Sequence, residues 1–409
     1  MDPEAYLRGL EPIGWRFGLE RIQRLLTLLG MPQRRFASIH VVGTNGKSSV
    51  TMMAAALLDA HGRRTGAYLS PHRRRWSERV RIGGAEIGAA EFAAAVERVA
   101  ATVPAVERGL EPEEAVTQFE AATAAALVAL AAQDVEVAVI EAGLGGRLDA
   151  TNVLPSAVTA LTTVGIEHTE YLGETEAEIA AEKLAVLRDH SALVVGALPP
   201  AVMEQARRAA AARHAAFVDA SRPAPGTEAL MRAPYLARDL AVAIAAAERL
   251  AGPLDRDEIE ELATGLDLPG RMETMPGPPP TVLDAAHNPA AAAALAEALQ
   301  GVATGRPVVA CVAVLAGKDA AGILSALAPR LAAIVCTEIP PERLAGAGRP
   351  GSGSVAAGEL AALGAAAGVP EVEAITDPAE AVARARALAV ERGGLALVTG
   401  SHYLLDYGS

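Results

Sequence analysis

Short runs of apolar, largely β-branched residues alternate with long alanine-rich stretches from Ser38 to the end of the chain. Apolar runs of this length, bounded by glycine, proline or acidic residues, read as buried strands, and the alanine stretches between them read as covering helices. In the first part the strand candidates are 38–42, 65–70, 135–140, 158–164 and 192–196. Further on they are 281–283, 307–314, 332–337, 372–375 and 395–399, separated by helical runs after Pro289, Asp319, Val355 and Pro378. This alternation predicts the α/β class, with mostly parallel sheets covered by helices. Residues 267–280, DLPGRMETMPGPPP, have the proline and glycine density of a connection between domains. The expected boundary is near Gly270, giving domains of 1–270 and 271–409. The glycine-rich stretch 346–353 is expected to be a mobile loop, and no repeat at a solenoid period is present.

Composition narrows the class. A chain of 409 residues exceeds one ordinary core, and 51% hydrophobic with 21% charged residues is the balance of a soluble globular protein. The richest apolar stretch, 121–132, is closed by Glu120 and Asp134, short of the ~18 residues that suggest a spanning helix. The opening MDPEAYLRGLEP lacks the basic and apolar blocks of a signal peptide. A cytoplasmic location without a membrane partner is therefore expected. Cys311 and Cys336 lie in VVACVAV and AAIVCTEI and read as reduced core thiols. A net charge of -13 argues against a nucleic-acid partner. The cluster His72, Arg73, Arg74, Arg75 is a local exception, either a solvated basic turn or a dock for an anionic substrate.

Residues 39–51 read IHVVGTNGKSSVT, a strand that breaks into glycine and enters a helix beginning with a lysine and two serines. Gly43 and Gly46 let backbone amides turn toward oxyanions, the helix amino end adds partial positive charge, and Lys47 reaches terminal phosphates. Ser48 offers a hydroxyl to a magnesium ion. The general pattern GxxxxGK[ST] would place a glycine where this chain has Val41, so the match is to a shorter variant.

The run 135–140 presents Glu141 at its tip, followed by AGLGGRLDATN. Magnesium takes one or two such oxygen ligands and completes its octahedron with water and phosphate. His168, in VGIEHTEYLG, follows another strand and is either a structural histidine or a ligand. Lys183 lies in AAEKLAVL. It reads as a surface lysine paired with Glu182, since an ammonium beside a metal is repelled unless its charge is removed.

Taken together, the ordered motifs HVVGTNGKSS, YLSPH with SERVRIGG, TQFEAATA, EAGLGGRLDATN, GIEHTEYLG, IAAEKLAVL, LPGRMETM, LDAAHNP, LAGKD and TGSHYLL resemble the folylpolyglutamate synthase and dihydrofolate synthase family, a branch of the Mur ligase superfamily. The resemblance spans nearly the whole chain. It implies a P-loop-containing, mostly parallel sheet domain that binds ATP and folate, followed by a smaller Rossmann-like glutamate ligase domain. Carried over by residue, Thr44, Asn45, Gly46, Lys47, Ser48 and Ser49 hold the nucleotide phosphates, and Asp239, Arg271 and Asp284 are further nucleotide contacts. Ser48, Ser70, Glu141 and His168 ligate magnesium. Lys183 matches a carbamylated lysine whose added carboxylate ligates a second ion. Thr117, Gln118, Phe119, Glu120, Leu148, Asp149 and Ala150 match pterin-contacting segments, while His287 and Ser401 match positions near the incoming glutamate. Lys47, Lys183 and His287 carry catalytic roles. The chain departs from the family pattern at Ser48, Leu69, Glu167 and Asp239.

The reaction this implies is attack of a carboxylate on the γ-phosphate of ATP, then of the glutamate amine on the acyl phosphate. The substrates are small molecules: folate or pteroate, L-glutamate and ATP. A monomer is expected. A peptidoglycan Mur ligase would normally carry a preceding uridine-nucleotide domain, for which no room is expected before Gly43. A nucleotide-dependent switch would lack the intact LDAAHNP and TGSHYLL motifs.

Overall fold

The computed structural model describes residues 1–10, 18–111, 114–223, 226–344 and 353–408. Of the stretch expected to be a mobile loop, all but Gly353 lies outside the described residues. The chain divides into two units, Met1–Leu230 with Leu236–Leu266, and Met231–Tyr235 with Asp267–Ser409.

In the first unit, eight strands form one sheet: β1 (Ala37–Val42), β2 (Thr65–Tyr68), β3 (Val80–Ile82), β4 (Ala85–Glu86), β5 (Val137–Glu141), β6 (Val158–Leu161), β7 (Ala192–Val195) and β8 (Ala216–Asp219). Their order is β4-β3-β2-β5-β1-β6-β7-β8. Strands β2, β5, β1, β6, β7 and β8 run parallel, with β3 and β4 antiparallel at one edge. The inner strands are apolar on both faces because helices cover both; β5 is buried at every position. The helix Gln118–Ala132 is buried along nearly its whole length, as a helix apolar on all sides must be. Its alanines allow close approach to the core of Ile22, Leu25, Val96 and Val99.

The sheet of the second unit has the order β13-β12-β11-β14-β10-β9, from β9 (Glu273–Met275), β10 (Thr281–Leu283), β11 (Val308–Val312), β12 (Leu331–Cys336), β13 (Val372–Ala374) and β14 (Leu395–Thr399). All pairs are parallel except β9 with β10. The stretch 267–280, read as a bare connection, thus contains β9: the Glu273–Met275 backbone pairs with Thr281–Leu283 despite its glycine and proline flanks. Cys311 and Cys336 are buried free thiols in β11 and β12, and burial pushes Cys336 up to about 12. Among the described residues no helix is long and apolar enough to cross a membrane.

Candidate active site

In open parallel sheets, ligands gather beyond the carboxyl ends of the strands. Here β1 lies between β5 and β6, so the loops after these three strands meet. The turn after β1 can only be built from glycine: a Cβ at Gly43 would stand 1.9 Å from Thr162 Oγ1. Gly46 has φ +84, and a Cβ there would stand 2.4 Å from Asp239 Oδ1. Residues after β6 pin the loop. Thr44 N donates to Thr163 O at 2.9 Å, Asn45 N donates to Thr163 Oγ1 at 2.9 Å, and Thr162 Oγ1 donates to Asn45 O at 2.6 Å. The loop then opens the helix Lys47–Ala60, a prearranged cradle for an anion. Lys47 Nζ donates to the carbonyls of Gly43 at 3.0 Å and Thr44 at 3.1 Å. Ser49 is buried in the first turn. Sequence reasoning did not single out Thr162 or Thr163; their signal was the TT that follows β6.

The register Val41↔Glu141 and Tyr68↔Ile140 brings the ends of β1, β5 and β2 together. Ser48 Oγ donates to Glu141 Oε1 at 3.0 Å, and Ser70 N donates to Glu141 Oε2 at 3.2 Å. A buried carboxylate beside a hydroxyl at a phosphate loop is a hard-oxygen donor set, fitting a cation that keeps phosphate and water ligands. His168 stands at the start of the short helix Thr169–Leu172 with φ 52, and its Nε2 is 3.2 Å from Glu167 Oε1. Among the described residues no group of three or more His, Cys, Asp or Glu is arranged to hold a metal.

Lys183 is not the surface lysine that its helix suggests. It is buried at 4% exposure, and its Nζ donates to Gly43 O at 2.9 Å. Burial, reinforced by the Lys47 charge and opposed by Glu167 and Asp149, lowers its pKa to about 7. Glu182 instead pairs with Arg147, Nε to Oε1 at 2.8 Å, and Arg147 N donates to Glu182 O.

The expected pterin-contacting residues divide by exposure. Thr117 and Glu120 form a capping box at the start of helix Gln118–Ala132. Glu120 also accepts from Arg21 Nε at 3.2 and 3.1 Å, and Gln118 Nε2 donates to Leu7 O at 3.0 Å. Their side chains thus serve internal contacts. Phe119 packs on Gly143, where a Cβ would lie 2.5 Å from the ring, and Leu148 is exposed at 42%. Buried Asp149 caps Ala150–Val153 and accepts from Leu144 N at 2.8 Å; burial raises its pKa. In the basic cluster, Glu78 accepts the backbone N–H groups of Arg73, Arg74 and Arg75. His72 Nδ1 accepts from Arg79 Nε at 2.9 Å, and burial together with the Arg79 charge lowers its pKa to about 2. His72 is therefore a neutral packing group beside Trp76 rather than part of a cationic dock.

In the second unit, Asp284 follows β10 and accepts from Tyr235 Oη at 2.6 Å, Met272 N at 3.0 Å and Ala286 N at 2.9 Å. Burial raises its pKa, opposed by Arg271. His287 Nδ1 is 3.0 Å from Ala285 O, and Ser401, buried at 2%, follows the adjacent β14. Next to it, the ring of His402 lies 5.9 Å from that of His287. Tyr235 and His402 were missed, the first because a tyrosine at a helix start carries no signal of its partner.

The Mur ligase middle domain family matches residues 41–224, and the family described as Mur ligase, glutamate ligase domain, matches 270–402. The chain is 35% identical over 358 residues to the dihydrofolate synthase/folylpolyglutamate synthase of Mycobacterium tuberculosis, covering 78% of this chain and 74% of that protein. The crystal structure of Mycobacterium tuberculosis folylpolyglutamate synthase complexed with ADP superposes with a TM-score of 0.87 at 32% identity, covering 97% of this chain and 96% of that one. A bifunctional folylpolyglutamate synthase/dihydrofolate synthase from Yersinia pestis, complexed with AMPPNP and Mn ion, superposes with a TM-score of 0.82 at 29% identity over 99% and 95%.

Proposed function

The chain belongs to the folylpolyglutamate synthase and dihydrofolate synthase family of Mur ligases, and from this we propose the reaction it performs and the roles of its residues. It is an ATP-dependent ligase that uses a divalent metal and joins L-glutamate to a folate. The observation that carries this reading is the loop after β1, with Ser48 3.0 Å from Glu141 at its side. The acceptor is tetrahydrofolate, dihydropteroate or both, and its carboxylate is activated as an acyl phosphate.

The loop amides and Lys47 bind the phosphates of ATP and stabilise charge as the γ-phosphoryl group transfers, a reaction governed by positioning and electrostatics. Ser48, Ser70, Glu141 and His168 would hold magnesium, with Lys183 serving a second ion. Bound magnesium supplies charge neutralisation to the transferring phosphoryl group. Lys183 is carbamylated: an amine with its pKa lowered to about 7 is in part neutral near that pH and able to attack CO2, releasing a proton as the N–C bond forms, and the resulting carbamate exchanges a repelled cation for an oxygen donor. Asp239, Arg271 and Asp284 contact nucleotide, Phe119, Leu148 and Asp149 the pterin, and His287 and Ser401 the incoming glutamate.

The test is ADP release by the purified chain with magnesium, ATP and combinations of acceptor and glutamate. Release that requires both supports the reading. ADP release unaffected by omitting either one contradicts it.

A further inference from the structure

The strand ends β10 and β14 carry a second imidazole that the roles above leave unused. Because β10 and β14 are adjacent and parallel, with Leu283 opposite Val398, the residues after them emerge side by side. His287 and His402 meet there, ring centroids 5.9 Å apart and tilted by 46°. A carbonyl can only accept, so the 3.0 Å contact of His287 Nδ1 with Ala285 O fixes the proton on Nδ1. Neighbouring Ser401 is also committed, its Oγ accepting from Tyr403 N at 3.3 Å. Charged groups on the elements that follow these strands include Asp284, with Arg271 beside it, and Asp406, paired with Arg343.

The chemistry needs a proton acceptor here. Glutamate arrives as an ammonium ion, and nitrogen attacks the acyl carbon only after losing a proton. Histidine is the side chain that most often accepts a proton in such a step, and His402 stands beside the assigned His287. We propose that His402, packed beside His287, takes the proton from the incoming ammonium. The neutral amine then forms the C–N bond, the C–O bond to phosphate breaks, and the departing phosphate takes the second nitrogen proton. The proposal rests on the assignment of His287 and Ser401 to the glutamate side of the site.

The experiment compares two nucleophiles in the full-length enzyme with ATP, magnesium and acceptor. Glutamate must be deprotonated, whereas hydroxylamine is already neutral at pH 7 and traps the acyl phosphate as a hydroxamate. His402→Gln and His402→Phe should each lower kcat with glutamate about a hundredfold, the usual scale for a positioned proton acceptor. Hydroxamate formation should stay within about twofold of the parent, on the same premise that hydroxylamine needs no base. Raising the pH should recover part of the glutamate reaction. Equal losses with both nucleophiles, or full glutamate activity in His402→Phe, would overturn the proposal. A parent enzyme that makes neither hydroxamate nor glutamyl product would instead overturn the acyl phosphate reading beneath it.

Discussion

Lys183 Nζ donates to the carbonyl oxygen of Gly43 at 2.9 Å, tying a helix residue to the first residue of the phosphate loop across 140 positions of sequence. The contact is compatible with an ammonium, a neutral amine or a carbamate N–H. Its burial, with Lys47 nearby, weighs against the ammonium.

Lys183→Ala should therefore slow acyl phosphate formation while nucleotide still binds, and a short carboxylic acid in solution should restore part of the rate. Lys183→Arg should fail as well, because it retains positive charge. Intact mass and carbon-13 spectra of enzyme supplied with labelled bicarbonate read the modification directly. Full activity of the alanine variant at low magnesium, or an unmodified amine in active enzyme, would remove Lys183 from the metal site.

Lys47→Ala should abolish turnover without unfolding the chain, since the lysine offsets charge that grows during transfer, an effect on the order of several kcal/mol at preorganised sites. Circular dichroism and ADP release check the two halves of this statement. Near-normal turnover in the folded variant would mean that ATP binds elsewhere.

The Arg21–Glu120 pair is buried on both sides, with side-chain exposures of 6% and 5%. Arg21→Leu should cost roughly 3–5 kcal/mol of stability, because it leaves Glu120 charged and buried without its cation. Arg21→Leu with Glu120→Gln should be less destabilised than Arg21→Leu alone, as measured by urea unfolding. A double variant at least as unstable as the single one would show that the cost lies in lost packing.

How much of this could be read in the sequence depends on burial. Strands such as β10 and β14 were found at their observed bounds because they are continuous apolar runs. Strands β3, β4, β8 and β9 were missed. Val80–Ile82 and Ala216–Asp219 are short, partly exposed and mix polar with apolar residues, and Glu273–Met275 is hidden among turn formers. In the site, the loop after β1 was legible because its glycines and lysine are local. The burial of Lys183 was not, since its helical neighbours look the same whether the helix faces solvent or the loop. Thr162 and Thr163 act through a neighbouring strand, which no local pattern announces.

His40 gives a pH dependence with a defined sign. It is fully buried in β1 beside Thr151, Nε2 to Oγ1 at 2.7 Å, and burial with the Arg188 charge lowers its pKa from 6.5 to about 3. Between those values the unfolded chain binds a proton that the folded chain refuses. Stability from this group is therefore lost as pH falls, by up to about 1.4 kcal/mol per pH unit. In urea unfolding at about pH 7, 5.5 and 4.5, one point above that window and two inside it, the advantage of the parent over His40→Gln should shrink with acidity. A constant difference would contradict the assignment.

The central claim is that glutamate is ligated to a folate-type carboxylate through an acyl phosphate. It is tested most directly with acceptor carrying oxygen-18 in that carboxylate, incubated with the enzyme, ATP, magnesium and glutamate, with both products read by mass. The account predicts an acceptor heavier by one glutamate residue and inorganic phosphate carrying one labelled oxygen, with ADP as the spent nucleotide. Unlabelled phosphate, or AMP in place of ADP, would contradict it.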